Sequence, residues 1–295
     1  MNIQLGTKSV PYLNGILDIV DHYDGFLLDI WGVLHDSVKP YPGVIECLRR
    51  LKSESKKIIL VSNAARRAAR LQKELLAFGI NGKMYDFIAT SGELFWQKQR
   101  GGIDPALAGL GKNYYLIGSE KYNLTDGLRL RQSHELAGAD FILTISVSGK
   151  TSSIADQEGV LESAAKLGLV MICVNPDVQV VRDGVLGIAP GAYARKYEEL
   201  GGLTIYYGKP HGAIYKYCFE LLPEIPAKRL VALGDSLNTD IAGASGFDLD
   251  SILVGTGIHS EAFKELPADP LKLNQICCQE KQYPTALVQG FQWQL

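Results

Sequence analysis

The chain has 295 residues, 46% of them hydrophobic and 21% charged, which is typical of a globular protein large enough for one or two domains. Its 30 basic and 32 acidic residues give a net charge of −2, which disfavours a nucleic-acid binder acting through a basic face. No apolar stretch reaches the roughly 18–20 residues that cross a bilayer. The first 15 residues do not resemble a signal peptide, and the five cysteines form no metal-binding spacing. We therefore expect a cytoplasmic protein.

Short apolar runs alternate with helical patterns along the chain. In chain order the predicted elements are strand Gly25–Ile30, helix Gly43–Lys52, strand Lys57–Val61, helix Arg66–Phe78, strand Phe87–Thr90, helix Gly92–Gln99, strands Tyr114–Ile117 and Phe141–Val147, helix Ser153–Leu167, strand Leu169–Val174, helix Tyr193–Leu200, strand Leu203–Tyr206, helix Ile214–Leu222, strand Leu230–Leu233, helix Asp240–Ser245 and strand Ile252–Val254. The runs lack polar alternation, as in strands buried on both faces. This order predicts an α/β fold with parallel sheets.

Polar side chains stand where four of these apolar runs end. In open α/β sheets, ligands bind beyond the carboxyl ends of the strands. Carboxylate oxygens suit Mg²⁺, and lysine with serine can hold phosphoryl oxygens. Taken singly, each residue also fits a helix cap, a turn or a solvated loop, but their joint occurrence favours a phosphate and metal site. The residues are Asp29, Ser62, Asn63, Lys209, Asp235 and Asp240.

Four segments of the chain resemble, in order, the four motifs of the haloacid dehalogenase superfamily. They are Asp-x-x-Gly-Val-Leu at 29–34, an apolar run ending in Ser-Asn at 58–63, Gly-Lys-Pro at 208–210 and Gly-Asp-x-x-x-Thr-Asp at 234–240. The long α/β stretch between the second and third motifs is similar to class IIA members, which carry a C2-type cap. The resemblance implies a Rossmann-like parallel-sheet core over 1–90 and 206–295, with an inserted α/β cap domain over 91–205.

The resemblance also implies a role for each matching residue. Asp29 would be the nucleophile, forming an aspartyl-phosphate that water then hydrolyses. Ser62 and Lys209 would bind the phosphoryl group. The implied Mg²⁺ ligands are Asp29, Asp235, Asp240 and the backbone carbonyl of Trp31.

Further residues are candidates for contacts with a small phosphorylated substrate. Asn63 follows the second motif, and Asn175 and Asp177 follow a cap strand in a pattern similar to nucleotide- and sugar-phosphate phosphatases of this class. An Asn-Pro-Asp turn explains the latter pair nearly as well. Caps of this class often make dimer contacts, so a homodimer is a further expectation, whereas nucleic-acid and membrane partners are not expected.

Trp31 departs from the motif, which usually has a second aspartate at this position. That aspartate protonates the leaving oxygen and later deprotonates water, a role worth about 10²–10⁴-fold in rate. Indole N–H does not titrate and cannot replace it. Three explanations stay open: His35 or Asp36 substitutes, the leaving group needs no proton, or the protein binds its ligand without efficient turnover.

The sequence therefore predicts a Mg²⁺-dependent hydrolase of small organic phosphate monoesters. The alternative is a catalytically weak protein of the same fold that binds a phosphorylated metabolite or a protein partner. Only Trp31 supports the alternative, while Asp29, Lys209, Asp235 and Asp240 support the enzyme.

Overall fold

The computed structural model divides the chain into two compact units. The residues described are 10–102, 107, 109–119, 122–147, 152–182, 185–263 and 270–294. The first unit groups Met1–Val61, Gln72–Ile88 and Cys218–Leu295, and the second groups Ser62–Leu71 and Ala89–Tyr217. The second unit thus includes 62–71, 89–90 and 206–217, which the sequence analysis assigned to the core domain.

Fourteen strands occur among the described residues. They are β1 Tyr12–Leu13, β2 Gly25–Asp29, β3 Lys57–Ser62, β4 Phe87–Thr90, β5 Asn113–Ile117, β6 Arg131–Ser133, β7 Phe141–Thr144, β8 Val170–Cys173, β9 Gln179–Arg182, β10 Val185–Ile188, β11 Leu203–Tyr206, β12 Leu230–Gly234, β13 Asp250–Val254 and β14 Ala286–Val288.

Eight α-helices and one π-helical turn accompany these strands in the described part of the chain. The helices are α1 Val44–Ser53, α2 Ala68–Ala77, α3 Ser91–Gly101, α4 Glu158–Lys166, α5 Pro190–Glu199, α6 Gly212–Leu221, α7 Ala242–Ser245 and α8 Pro270–Glu280; the π-helical turn is Leu237–Ile241. No described helix has the length and hydropathy needed to cross a membrane.

A seven-stranded sheet forms the centre of the first unit. Its strand order is β1-β14-β13-β12-β2-β3-β4. The pairings of β2 with β3 and β12, and of β13 with β12 and β14, are parallel. All five residues of β2 and of β12 are buried, which explains why their sequences read as unbroken apolar runs. Helix α1 buries Val44, Cys47, Leu48 and Leu51, the spacing of one helical face.

The second unit has its own sheet, with the order β11-β8-β7-β5-β6, and a separate antiparallel hairpin of β9 and β10. The pairings of the five-stranded sheet are parallel. Side chains of α4 and α5, among them Leu161 and Tyr197, pack with Ile142 of β7 and Met171 of β8 in one buried cluster. Each helix therefore covers a sheet face by burying its apolar side.

The predicted α/β class with a parallel-sheet core is confirmed, and each predicted strand has a counterpart. Three element predictions need correction. The strand predicted over Phe141–Val147 ends at Thr144, and the helix predicted over Ser153–Leu167 is α-helical only in α4, after a 3₁₀ turn. The helix predicted at Asp240–Ser245 is α-helical only from Ala242, because the preceding residues form the π-helical turn.

Asp86 ties two elements of the first unit together just before β4. Its carboxylate accepts hydrogen bonds from Lys52 Nζ at 2.6 Å and from the amide of Ile58 at 2.9 Å. Burial by itself raises the pKa of Asp86, but these hydrogen bonds outweigh it and hold that pKa below its ordinary value. The ionised form of Asp86 therefore stabilises the fold.

We expect Asp86→Asn to lower the free energy of unfolding by about 1–3 kcal/mol at pH 7, because a charge-assisted hydrogen bond is lost. A lowered folded-state pKa gives stability that is present above the unfolded value of about 3.9 and lost as pH falls through the folded value. The difference between wild type and variant in urea unfolding should thus shrink below about pH 4. Glu46→Gln, which removes the exposed pair with Arg50, is the control and should change stability by under about 1 kcal/mol. A pH-independent difference would contradict the assignment.

Candidate active site

Three carboxylates come together at the carboxyl end of the seven-stranded sheet. Asp29 is the last residue of β2, Asp235 directly follows the neighbouring strand β12, and Asp240 lies in the π-helical turn after it. One ligand oxygen from each lies within 4.8 Å of the others. Their exposed fractions are 9%, 3% and 4% respectively, so the cluster is buried.

The loop after β2 is shaped to bring its backbone close to Asp235. Gly32 has φ +87°, a conformation that other residues adopt only with strain. A Cβ at Gly32 would lie 2.2 Å from Asp235 Oδ2. Both constraints require glycine at this position.

The Trp31 side chain forms a hydrogen bond within the same loop. Its Nε1 donates to Ser37 Oγ at 2.5 Å, and the indole is half-buried. The amide of Gly32 donates to the carbonyl of His35 at 3.0 Å. That amide and the Trp31 carbonyl belong to one peptide plane, so this hydrogen bond also orients the carbonyl that the sequence assigned to the metal.

His35, the predicted substitute acid or base, is 8% exposed. Its Nδ1 accepts a hydrogen bond from the amide of Ser37 at 3.1 Å, and its ring packs on Phe78 with centroids 4.6 Å apart. Proton transfer by His35 would therefore use Nε2. Its catalytic role stays a prediction.

Asp36, the neighbouring candidate, accepts hydrogen bonds from the amides of Lys39 and Val38, each at 2.8 Å. These bonds hold the pKa of Asp36 below its ordinary value. A lowered pKa favours the ionised carboxylate, which has no proton to donate, so the local contacts favour His35 over Asp36 as the substitute acid. A catalytic role for either residue stays a prediction.

The loop that follows β13 contributes contacts that the sequence analysis missed. Thr256 Oγ1 donates to the carbonyl of Gly32 at 2.6 Å, and the amide of Ile258 donates to Asp235 Oδ2 at 2.8 Å. The available signal was the position of Gly255-Thr256-Gly257 directly after a predicted strand, where polar residues of a parallel sheet gather.

Ser62, Asn63 and Lys209 belong to the second unit, where Asn63 holds the backbone of Lys209. The amide of Lys209 donates to Asn63 Oδ1 at 2.7 Å, and Asn63 Nδ2 donates to the Lys209 carbonyl at 2.9 Å. Nδ2 also donates to Asp177 Oδ1 at 2.8 Å. Both amide hydrogens of the buried Asn63 are thus engaged within the protein, so a substrate contact through them would break one of these bonds.

Ser62, Asn175 and Asp177 also form local hydrogen bonds. Ser62 Oγ accepts from the amide of Ala64 at 3.2 Å. Asn175 Oδ1 accepts from the amide of Asp177 at 2.9 Å, so the Asn-Pro-Asp turn that was the alternative explanation of this pair is present. The substrate contacts predicted for Asn175 and Asp177, and the phosphoryl contact predicted for Ser62, stay predictions.

The buried carboxylate cluster fits a hard divalent cation. Three anionic groups in one buried site repel one another unless a cation compensates their charge. All three donors are oxygen atoms, which suit Mg²⁺ at about 2.1 Å. Two oxygens that share one ion lie at most about 4.2 Å apart. Oxygens within 4.8 Å of one another therefore need only small side-chain rotations to bind the same ion.

Two family models match the chain. The haloacid dehalogenase-like hydrolase model matches residues 26–125, and the HAD-hydrolase-like model matches residues 206–274. The matches include the Asp29 and Ser62 segments in the first case, and the Lys209 and Asp235 segments in the second.

Two relatives align with most of the chain. A D-glycerol 3-phosphate phosphatase of Mycobacterium tuberculosis is 24% identical over 258 residues, 86% of this chain and 69% of the relative. The 5′-nucleotidase YutF of Bacillus subtilis is 23% identical over 245 residues, 80% of this chain and 88% of the relative.

Solved structures match the fold over nearly the whole chain. A haloacid dehalogenase-like family hydrolase from Brucella suis has a TM-score of 0.79 at 26% identity, covering 94% of this chain and 99% of its own. A glycerol phosphate phosphatase from Mycobacterium tuberculosis, solved with magnesium, has a TM-score of 0.63 at 22% identity, covering 87% of this chain and 78% of its own.

We expect Asp235→Asn to weaken Mg²⁺ binding at least tenfold, because even residues that only support a metal ligand contribute about 10–100-fold to affinity. Isothermal titration calorimetry with Mg²⁺ alone measures this directly. Asp248→Asn, which neutralises an exposed carboxylate of the same unit, is the matched control and should bind Mg²⁺ as wild type does. Equal affinity in the Asp235 variant would remove this residue from the metal site.

Proposed function

We propose, from the premise that the chain belongs to the haloacid dehalogenase-like hydrolases, that it is a Mg²⁺-dependent phosphatase of small organic phosphate monoesters. The grouping of Asp29, Asp235 and Asp240 carries the proposal. The relatives act, by their names, on glycerol phosphate and on nucleotides, which supports a nucleotide- or sugar-phosphate-like substrate. A homodimer and a cytoplasmic location stay predictions.

In this proposal Asp29 is the nucleophile. Its carboxylate attacks phosphorus, the bond to the leaving oxygen breaks, and an acyl phosphate forms on Asp29. Attack by water on that phosphorus releases inorganic phosphate and regenerates the carboxylate. Mg²⁺ held by Asp29, Asp235, Asp240 and the Trp31 carbonyl would neutralise charge on the phosphoryl group.

Ser62 and Lys209 would bind the phosphoryl oxygens, and Asn63 would position Lys209. The two hydrogen bonds between the Asn63 side chain and the Lys209 backbone support this division of roles. Fixed donors around the phosphoryl group stabilise the developing charge without reorganising during the reaction.

Wild-type protein should release inorganic phosphate from at least one member of a panel of glycerol 3-phosphate, sugar phosphates, nucleoside monophosphates and p-nitrophenyl phosphate, with Mg²⁺ but not with EDTA. Asp29→Asn should lower kcat by at least about a thousandfold, since removal of a nucleophile abolishes the covalent route. Asp248→Asn is again the control. Calorimetric binding of a panel member without turnover would favour the alternative, a weak catalyst that binds a phosphorylated metabolite.

The alternative draws its support from Trp31, whose indole cannot act as acid or base. Without that acid, an alkoxide would have to leave unprotonated, whereas a phenolate or carboxylate leaves readily as an anion. Tryptophan in place of aspartate at position 31 would therefore slow the hydrolysis of alkyl phosphates and leave aryl phosphates, acyl phosphates and anhydrides as the better substrates.

We expect Trp31→Asp to raise kcat for an alkyl phosphate by up to about 10²–10⁴-fold, the contribution of general acid–base catalysis. The gain for p-nitrophenyl phosphate should be much smaller, because its leaving group needs no proton. Steady-state kinetics at saturating Mg²⁺ measure both, with Trp31→Phe as the control that removes the indole and adds no acid.

His35 provides the competing explanation. If it acts as the substitute acid, wild type hydrolyses alkyl phosphates well and His35→Ala loses that activity selectively. An equal gain in kcat for both substrates in Trp31→Asp would refute the leaving-group explanation. So would the absence of any gain when that variant is folded and binds Mg²⁺.

A further inference from the structure

The segment Thr256-Gly257-Ile258, called here the β13 loop, follows β13 by one residue. Strand β13 pairs with β12, with Leu253 opposite Gly234. The β13 loop therefore leaves the sheet beside Asp235, which follows Gly234. No motif of the family resemblance includes these three residues.

Thr256 fixes one side of the loop that carries Trp31. Its Oγ1 donates to the Gly32 carbonyl at 2.6 Å, while the Gly32 amide donates to the carbonyl of His35 at 3.0 Å. Both peptide planes adjoining Gly32 are therefore held, including the plane that contains the Trp31 carbonyl. Thr256 is itself held, because Tyr41 Oη donates to its carbonyl at 2.8 Å.

Gly257 and Ile258 fix the carboxylate of Asp235. The amide of Ile258 donates to Asp235 Oδ2 at 2.8 Å. A Cβ at Gly257 would lie 1.8 Å from the same oxygen, and a Cβ at Gly32 would lie 2.2 Å from it. The carboxylate thus lies between two glycines, and only their lack of side chains leaves room for it.

We propose that the β13 loop is a positioning element of the metal site, which sets the affinity for Mg²⁺ by orienting Asp235 and the Gly32 peptide planes together. The inference rests on the proposed function in so far as that function requires Mg²⁺. Thr256, Gly257 and Ile258 act through the ligands and are positioning residues. Partners that orient ligands raise metal affinity because the ligands need no reorganisation on binding.

The Thr256 hydroxyl is tested with two variants, one that replaces it with a methyl group in a side chain of similar shape and one that keeps it. Thr256→Val removes the donor to Gly32 and should raise the calorimetric Kd for Mg²⁺ by about tenfold. Thr256→Ser keeps a hydroxyl and should bind within about threefold of wild type. Added Mg²⁺ should restore kcat in Thr256→Val, with KM for the phosphate ester unchanged.

Thr285→Val is the matched control for a loss of stability alone. Thr285 Oγ1 donates to Asp250 Oδ1 at 3.0 Å, where Asp250 is the first residue of β13 and lies at the strand end away from the β13 loop. Thr285 Oγ1 also accepts a hydrogen bond from the amide of Ser251 at 3.0 Å, so this variant loses at least as much hydrogen bonding as Thr256→Val and should still bind Mg²⁺ as wild type does. Thermal unfolding in EDTA verifies that both valine variants are folded at the temperature of the titration.

Gly257→Ala tests the close approach to Asp235. The added methyl group forces the carboxylate or the loop to move, and we expect Mg²⁺ affinity to fall by about a hundredfold. Gly159→Ala, where a Cβ meets nothing within 4 Å, is its control. If Gly257→Ala does not fold, the Thr256 pair still decides the question.

The outcomes separate the inference from the proposed function. Wild type that fails to bind Mg²⁺ would overturn the metal part of the proposed function and this inference with it. If wild type binds Mg²⁺ and Thr256→Val binds it with equal affinity, only this inference is overturned. If Mg²⁺ binding weakens as much in Thr285→Val as in Thr256→Val, the inference is also overturned, because general destabilisation would then explain both losses.

Discussion

Mutual repulsion among three buried carboxylates is the constraint around which the first unit is arranged. At 4.8 Å, the upper limit of the separation between their ligand oxygens, each ionised pair repels by at least about 3 kcal/mol at an effective dielectric constant near 20. Backbone amides offset part of this cost, because Ser236 donates to Asp240 at 3.2 Å and Ile258 donates to Asp235 at 2.8 Å. Backbone amides carry no net charge, so a bound divalent cation would lower the free energy of the cluster further.

The strand order explains why the cluster forms between β2 and β12. From β2 the sheet continues through β3 to β4 on one side, and from β12 through β13 and β14 to β1 on the other. The chain therefore reverses its direction of winding between these two strands, and such a switch point opens a crevice at the carboxyl ends. Asp29 and Asp235 leave adjacent strands at that crevice, and β13 is near enough for its following loop to reach both strand ends.

The sequence predicted the central strands and the residues at their ends, because burial on both faces leaves a recognisable apolar run. It missed elements whose stability comes from their neighbours. Strand β6, Arg131–Ser133, is polar and lies at a sheet edge, while β1 and β14 are too short for any periodicity. The sequence could place Asn63 and Thr256 after strands but could not predict their partners, because the hydrogen bonds from residue 63 to 209 and from 256 to 32 exist only after folding.

The structure separates the metal-binding part of the site from its proton-transfer part. The residue at position 31 would serve the metal through its backbone carbonyl, whose peptide plane is fixed by Gly32 and His35. Its side chain instead bonds to Ser37, within the same loop. Replacement of aspartate by tryptophan therefore removes a titratable group while the backbone that orients the carbonyl stays held. Under the proposed function, this chain would keep electrostatic stabilisation of the phosphoryl group, and without a substitute acid such as His35 the stability of the leaving anion would determine which esters react.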